Sequence, residues 1–293
     1  VLLSLYLNLQ IMDNKKVWYV TGASKGLGLA LVKVLLEQGY RVAATSRYRT
    51  ALTQAVGPEK NFLPLEVDLT SEGSIAASLK TTHDSFGRID VIVNNAGYGI
   101  GGTVEELAPE EVAQNFDINV FATIRVIQKA MPYLRAQRSG HIMNISSVAG
   151  FAGATGWAIY SAAKASVIAL SEVLAQDVES LGVKVTVIAP GAFRTSFLTA
   201  DSLALPKNTI DDYKEVRASH ARYLSMDGKQ IGDPVKAAEV FIQLAESANP
   251  PVVLFLGSDA YNRAAAKSTY LCDQLERWKS LSFSTQITEM AEQ

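Results

Sequence analysis

Only one cysteine, Cys272, stands in 293 residues. A lone thiol excludes an intrachain disulfide framework and any multi-cysteine zinc or iron–sulfur site, and it fits a reducing compartment. An excess of one charge is also missing: 27 Lys and Arg face 29 Asp and Glu, a formal net charge of −2. So even a balance removes the long-range attraction that draws basic proteins to nucleic acid or acidic lipid. Long apolar runs are lacking too; the apolar start, residues 1–11, has about half of the ~20 residues a bilayer-spanning helix needs. That start lacks the basic flank and small-residue cleavage site of a signal peptide, and we expect residues 1–15 to be an extension outside the fold. There is no Pro-, Gly- or Ser-rich linker and no internal repeat, so one domain is expected over residues 16–257, with a helix and tail over 258–293.

What is present is a hydrophobic fraction of 48% against 19% charged residues, the balance of a soluble protein with a packed core. Short apolar runs alternate with longer helical patterns, as in βα units winding a parallel sheet. The predicted strands are Val17 to Thr21, Arg41 to Thr45, Phe62 to Val67, Val91 to Asn94, His141 to Ile145, Val183 to Ala189 and Val252 to Leu256. Their density in Val, Ile, Leu and Ala suits strands covered on both faces. The fold class is therefore α/β, a doubly wound sheet of seven parallel strands with helices on both faces. Residues 195–231 are too long for an ordinary connection in such a domain and read as a lid over a site. A final helix is predicted over roughly Ala260 to Ser280.

Thr21-Gly22-Ala23-Ser24-Lys25-Gly26-Leu27-Gly28 follows the first strand and opens a helix. Glycines let a pyrophosphate approach the backbone, and a helix N-terminus offers it free N–H groups and a positive dipole end. Asn94-Asn95-Ala96-Gly97 ends the fourth strand, where Asn side chains can tie strands together and Gly97 leaves room for a ligand. Asp68, closing the third strand beside Leu69, can accept from an adenine amino group or cap the helix that follows. Tyr160 and Lys164 are four apart on a helix and so share a face, where the ammonium would lower the phenol's pKa and fit Tyr160 for acid/base work. Ser147, thirteen positions before Tyr160, can hold a substrate oxygen. Asn119 is polar inside an apolar helix, either as a packing amide or as part of this group.

Together these residues make the sequence resemble the short-chain dehydrogenase/reductase family over about Lys16 to Leu256. The resemblance rests on Thr21 to Gly28, Asn94 to Gly97, the tetrad Asn119, Ser147, Tyr160 and Lys164, and Pro190-Gly191 with Thr195. It implies a Rossmann-type fold with strand order 3-2-1-4-5-6-7 and a nicotinamide cofactor. It further implies that Tyr160 exchanges a proton with the substrate oxygen, that Lys164 tunes Tyr160 and contacts the nicotinamide ribose, that Ser147 orients substrate, and that Asn119 positions Lys164 through water. The cofactor residues it implies are Gly22, Ser24, Lys25, Gly26, Leu27, Gly28, Arg47, Asp68, Leu69, Asn94, Ala96, Gly97, Tyr160, Lys164, Pro190, Gly191 and Thr195.

At the end of the second strand, Ser46 occupies the slot where an acid binds the ribose of NAD, and Arg47 follows it. With Lys25 it gives two cations for a 2′-phosphate, so NADP(H) is the expected cofactor; no metal is expected. Tyr98, Trp157, Phe193, Phe197 and Leu198 form a mostly apolar pocket edge, suited to a lipophilic ketone, aldehyde or secondary alcohol, or else pack the lid onto the core. Lys207, Lys214, Arg217 and Arg222 could bind an acidic substrate group but read rather as an exposed helix face. The expected function is NADP(H)-dependent carbonyl reduction or alcohol oxidation; a non-catalytic redox sensor and an epimerase or dehydratase of the same fold are the alternatives. A cytoplasmic homodimer or homotetramer, without nucleic-acid or membrane partners, is expected.

Overall fold

The computed structural model describes residues 15–287. Its centre is one seven-stranded sheet, every pair parallel, built from β1 (Val17–Val20), β2 (Arg41–Ser46), β3 (Phe62–Glu66), β4 (Val91–Asn94), β6 (Gly140–Ile145), β7 (Val183–Pro190) and β9 (Val253–Leu256). The order is β3-β2-β1-β4-β6-β7-β9. It is the order the resemblance implied once a separate pair of two-residue strands, β5 (Gly99–Ile100) and β8 (Leu203–Ala204), is set aside. The sequence pattern did not reveal that pair, because two residues carry no periodicity. Pro64 lies in β3, which pairs only with β2, and an edge strand is where a residue without an N–H is tolerated.

Alternate strand residues feed two cores, as the period of a strand requires. Trp18, Val20, Val42, Ala44, Val91 and Val93 face a layer completed by Leu31 and Leu35 of α1 (Gly26–Glu37) and Phe241 of α8 (Pro234–Glu246). Tyr19, Ala43 and Ile92 face the other layer, with Ile75 and Leu79 of α3 (Glu72–Phe86), Val126 and Leu134 of α5 (Ala122–Gln137) and Val178 of α6 (Ala158–Val178). Each buried aliphatic side chain contributes ~1.5 to 3 kcal/mol, so a polar substitution on either strand face breaks a layer. The remaining helices are α2 (Arg49–Val56), α4 (Pro109–Phe116), α7 (Lys214–Leu224) and α9 (Ser258–Phe283). The last is longer than the predicted Ala260 to Ser280 and buries only Ala260 and Ala264.

Of the predicted extension, residues 1–14 lie outside the described residues. Lys15 takes part in the fold: its ammonium lies 4.5 Å from the Tyr40 ring centroid and its carbonyl accepts from Arg41. The predicted lid, 195–231, is no bare loop, since it contains a short turn at Ser196–Leu198, β8 and α7.

Candidate active site

The site lies at the carboxyl edge of the sheet, beyond β1, β4, β6 and β7. Gly22 turns the chain out of β1 with φ 63°, and a Cβ there would meet the Ala96 Cα at 2.7 Å; only glycine combines that conformation with that approach. The turn is pinned from β4: Asn95 Nδ2 donates to the carbonyls of Thr21 and Gly22, and the Thr21 hydroxyl accepts from the N–H groups of Asn95 and Ala96. Asn94 ties strands as expected, its Nδ2 donating to Asn144 Oδ1 at 2.8 Å, and Asn144 donates in turn to Ser171 of α6. Asn144 and Ser171 were not singled out in the sequence, where nothing marks them as partners.

α1 has no side-chain cap and no acid in its first turn, whereas Ser71 caps α3 and Asp233 caps α8. Its amino end, beside Gly22, Ser24, Gly26, Leu27 and Gly28, is therefore left to an anion, and the cradle fits the pyrophosphate of a dinucleotide. Thr195 caps its own turn by accepting from the Phe197 N–H, and its Cβ would lie 3.8 Å from a Cβ on Gly26. Pro190 ends β7, and the Gly191 N–H donates to the Leu256 carbonyl. Leu69 lines a small gap with Thr21, Asn94 and Ala96. Asp68 does not cap α3: its carboxylate accepts from the N–H and hydroxyl of Thr70, which holds it below the usual carboxylate range, and Ser71 takes the cap.

Asn119 and Lys164 meet at Gly97, while Ser147 lies by the Tyr160 hydroxyl. A Cβ on Gly97 would fall 2.5 Å from Asn119 Oδ1 and 3.2 Å from Lys164 Nζ, so the glycine makes room for both. Asn119 sits in a π-helical turn, Asp117–Phe121, between α4 and α5; such widened turns are frequent at functional sites. Its Nδ2 donates to the carbonyls of Tyr98 and Asn115, while Oδ1 is buried with no partner. That orphaned acceptor distinguishes it from a satisfied packing amide. Lys164 is buried and donates to the Ile145 carbonyl at 3.0 Å, 5.9 Å from the Tyr160 ring centroid.

Burial sets the acid/base balance of the pair. It pushes the Tyr160 phenol up to about 12, against a smaller downward pull from the Ser147 hydroxyl, and it holds the Lys164 ammonium down at about 8. Desolvation of the phenolate is the larger of the two influences on Tyr160 and the Ser147 hydroxyl the smaller. Ser147 accepts from the Ala149 N–H, and the neighbouring Ser146 is spent on the Lys164 carbonyl.

On the outer side, Tyr160 packs with Ile100, Leu107, Trp157 and Leu203, joined by Phe197 and Leu198. The Phe197 ring lies 5.9 Å from that of Tyr160, and Trp157 stands edge-on at 6.4 Å. Trp157 is nevertheless core, 5% exposed. Tyr98 is half-buried, and its carbonyl serves Asn119 and Asn115. Phe193 belongs elsewhere: it packs on Gly232 and lines a cleft of about 280 Å³ with Lys236 and Leu256, which none of the tetrad lines.

Arg47 is exposed and, among the described residues, in no ion pair. Lys25 is turned to the lid, donating to the Asp201 carbonyl at 2.8 Å. Lys207 is exposed but lies before α7, on which Lys214 and Arg222 are exposed as expected. Arg217 is not: it pairs with the buried Glu106, which the sequence pattern could not show because the partners are 111 positions apart.

A family model described as short chain dehydrogenase matches residues 16–204. The chain is 35% identical over 274 residues to oxidoreductase BOA17 of Botryotinia fuckeliana, covering 92% of this chain and 99% of that one. It is 30% identical over 259 residues to a 3-ketodihydrosphingosine reductase of Bacteroides thetaiotaomicron, covering 88% and 94%. Among solved structures, a short-chain dehydrogenase of Streptomyces avermitilis superposes with a TM-score of 0.85 at 32% identity, over 94% of this chain and 99% of that one. A 3-ketoacyl-(acyl-carrier-protein) reductase of Brucella melitensis, complexed with NADH, shares the fold with a TM-score of 0.70 at 21% identity, over 83% and 97%.

Proposed function

Since the chain belongs to the short-chain dehydrogenase/reductase family and is an oxidoreductase, we propose that it is an NADP(H)-dependent reductase of lipophilic ketones or aldehydes. The observation that carries this reading is the convergence of Asn119 and Lys164 on Gly97, one helical turn from Tyr160, under an apolar wall. The nicotinamide cofactor, when bound, supplies or takes the hydride. The uncapped α1 end and the Gly22–Gly28 turn would hold its phosphates, and Arg47, with Ser46 in place of an acid, favours a 2′-phosphate. Lys164 would hold the ribose hydroxyls.

This chain's part in the reaction is to place a carbonyl oxygen and give it a proton. The Tyr160 hydroxyl, buried under the apolar wall, is the group that would give that proton. The Ser147 hydroxyl lies by that phenol and would hold the same oxygen. Ile100, Leu107, Leu198, Leu203 and Phe197 exclude water and offer no charged group to the substrate, which supports an apolar one. The keto group in the name of the Bacteroides relative supports a ketone as the reacting function.

A homo-oligomer is supported by two exposed apolar side chains, Phe121 at the end of the π-helical turn, 48% exposed, and Val173 of α6, 57% exposed. A reducing, cytoplasmic location is supported by the free Cys272. α6 with its following turn, Ala158–Leu181, is long and apolar enough to cross a membrane by composition. Its Tyr160 and Lys164 join it to the site, so the reading keeps it in the soluble fold. NADPH and NADH oxidation against a panel of ketones, aldehydes and quinones tests the function: turnover with NADPH and apolar ketones is expected, and equal use of both cofactors would remove the NADP(H) assignment.

A further inference from the structure

We infer that Glu106 and Arg217 are positioning residues: their ion pair seats α7 against Trp157 and so fixes where Tyr160 presents its hydroxyl. The inference rests on Tyr160 being the proton donor. The Glu106 side chain is 0% exposed. It accepts from the N–H groups of Thr103 at 3.0 Å and Ile210 at 2.9 Å, and both its oxygens lie 2.5 Å from Arg217 Nη2. Burial alone would raise its pKa; those hydrogen bonds outweigh it and hold the carboxyl at about 2, so the pair stays charged at neutral pH. One carboxylate thus joins the loop after β5, the chain entering α7 and α7 itself.

The contacts run on from there without a gap. One turn beyond Arg217, His220 Nε2 lies 3.0 Å from the Gly156 carbonyl. A Cβ on Gly156 would fall 2.7 Å from both His220 Nε2 and Val216 Cγ1, so the helix is seated as closely as the backbone allows. His220 and Tyr223 stand edge-on to Trp157 at 5.3 and 5.1 Å, and Trp157 stands edge-on to Tyr160. The hydrogen bonds of this series go to Glu106 and Gly156, not to the reacting hydroxyl. Removing the guanidinium leaves a buried carboxylate without its counter-charge, which loosens α7 and leaves Trp157 and Tyr160 without backing. A displacement of about 1 Å of a reacting group can cost ~10²-fold.

The experiment uses Arg217→Met in a Trp278→Phe background, so that only the buried Trp18 and Trp157 fluoresce. Per folded molecule, kcat for the best ketone of the panel should fall about tenfold, with NADPH affinity unchanged and acrylamide quenching increased. Arg217→Lys, which keeps the charge but not the fork, should recover part of both. A lower Tm with kcat and quenching of the folded fraction unchanged would reduce the pair to a structural one and overturn the inference. Should the wild type reduce no ketone with NADPH, the functional reading fails, while quenching still decides: an unchanged signal refutes the seating of Trp157 by this pair, and an increase upholds it. Where Arg217→Met does not fold, Arg217→Lys carries the same comparison.

Discussion

Around the Gly22–Gly28 turn the groups that matter belong to the backbone: uncapped N–H groups of α1, a glycine at φ 63°, and carbonyls pinned by Asn95. Around the outer face of Tyr160 they are side chains, gathered from Ile100, Leu107, Trp157, Phe197 and Leu203. The cofactor half is held by hydrogen bonds between neighbouring strand ends. The substrate half is held by a two-residue strand pair and one buried ion pair. A phosphate-binding backbone tolerates few alternatives in residue type. An apolar wall tolerates many of similar volume, so substrate preference can change while the cofactor half stays the same.

The comparison breaks most sharply at the residue the two halves share. Tyr160→Phe keeps the ring in its apolar cluster and removes the proton, so turnover should fall ~10²- to 10⁴-fold while NADPH titration by fluorescence gives an unchanged Kd. A variant with more than about a tenth of wild-type turnover would place the proton on another group.

Lys164 supplies the next test through pH. With its pKa at about 8, ketone reduction should hold to that pH and decline above it as the ammonium is lost; the phenol itself, at about 12, stays protonated. Stability moves the other way. The folded chain binds fewer protons than the unfolded one between about 8 and the ordinary lysine value of 10.5, so this group makes the fold more stable as pH rises through that window. A rate loss accompanied by a fall in Tm would therefore point to some other cause.

The cofactor half alone is tested by Arg47→Ser. NADPH affinity should drop about tenfold, the loss of one charge-assisted contact, and NADH affinity should not change. Equal losses for both cofactors in a titration would show that Arg47 serves the fold rather than a 2′-phosphate.

The smallest effect is expected in the substrate half. Phe197 is only partly buried, so Phe197→Ala removes less than the ~1.5 to 3 kcal/mol of a fully buried side chain, and KM for bulky ketones should rise about fivefold. Leu198→Ala should act in the same direction. A lid role keeps Tm near wild type; an early melt with unchanged KM would make both residues core.

The sequence by itself determined the seven strands, because strands covered on both faces are dense in apolar residues and all seven were legible as such, from Val17 to Leu256. It also determined the glycine turn and the Tyr160/Lys164 spacing, since both follow from geometry within one or two elements. Tertiary structure decided the rest. How far burial raises the Tyr160 phenol is something no local spacing reports. Trp157 and Phe193 have the same apolar character in sequence, yet one backs Tyr160 and the other lies against Gly232. Arg217 looked like any surface charge until the fold carried Glu106 to it across 111 positions. Hydrophobic period and turn chemistry act over a few residues, whereas pKa values, buried pairs and pocket walls depend on which distant segments the closed sheet brings into contact.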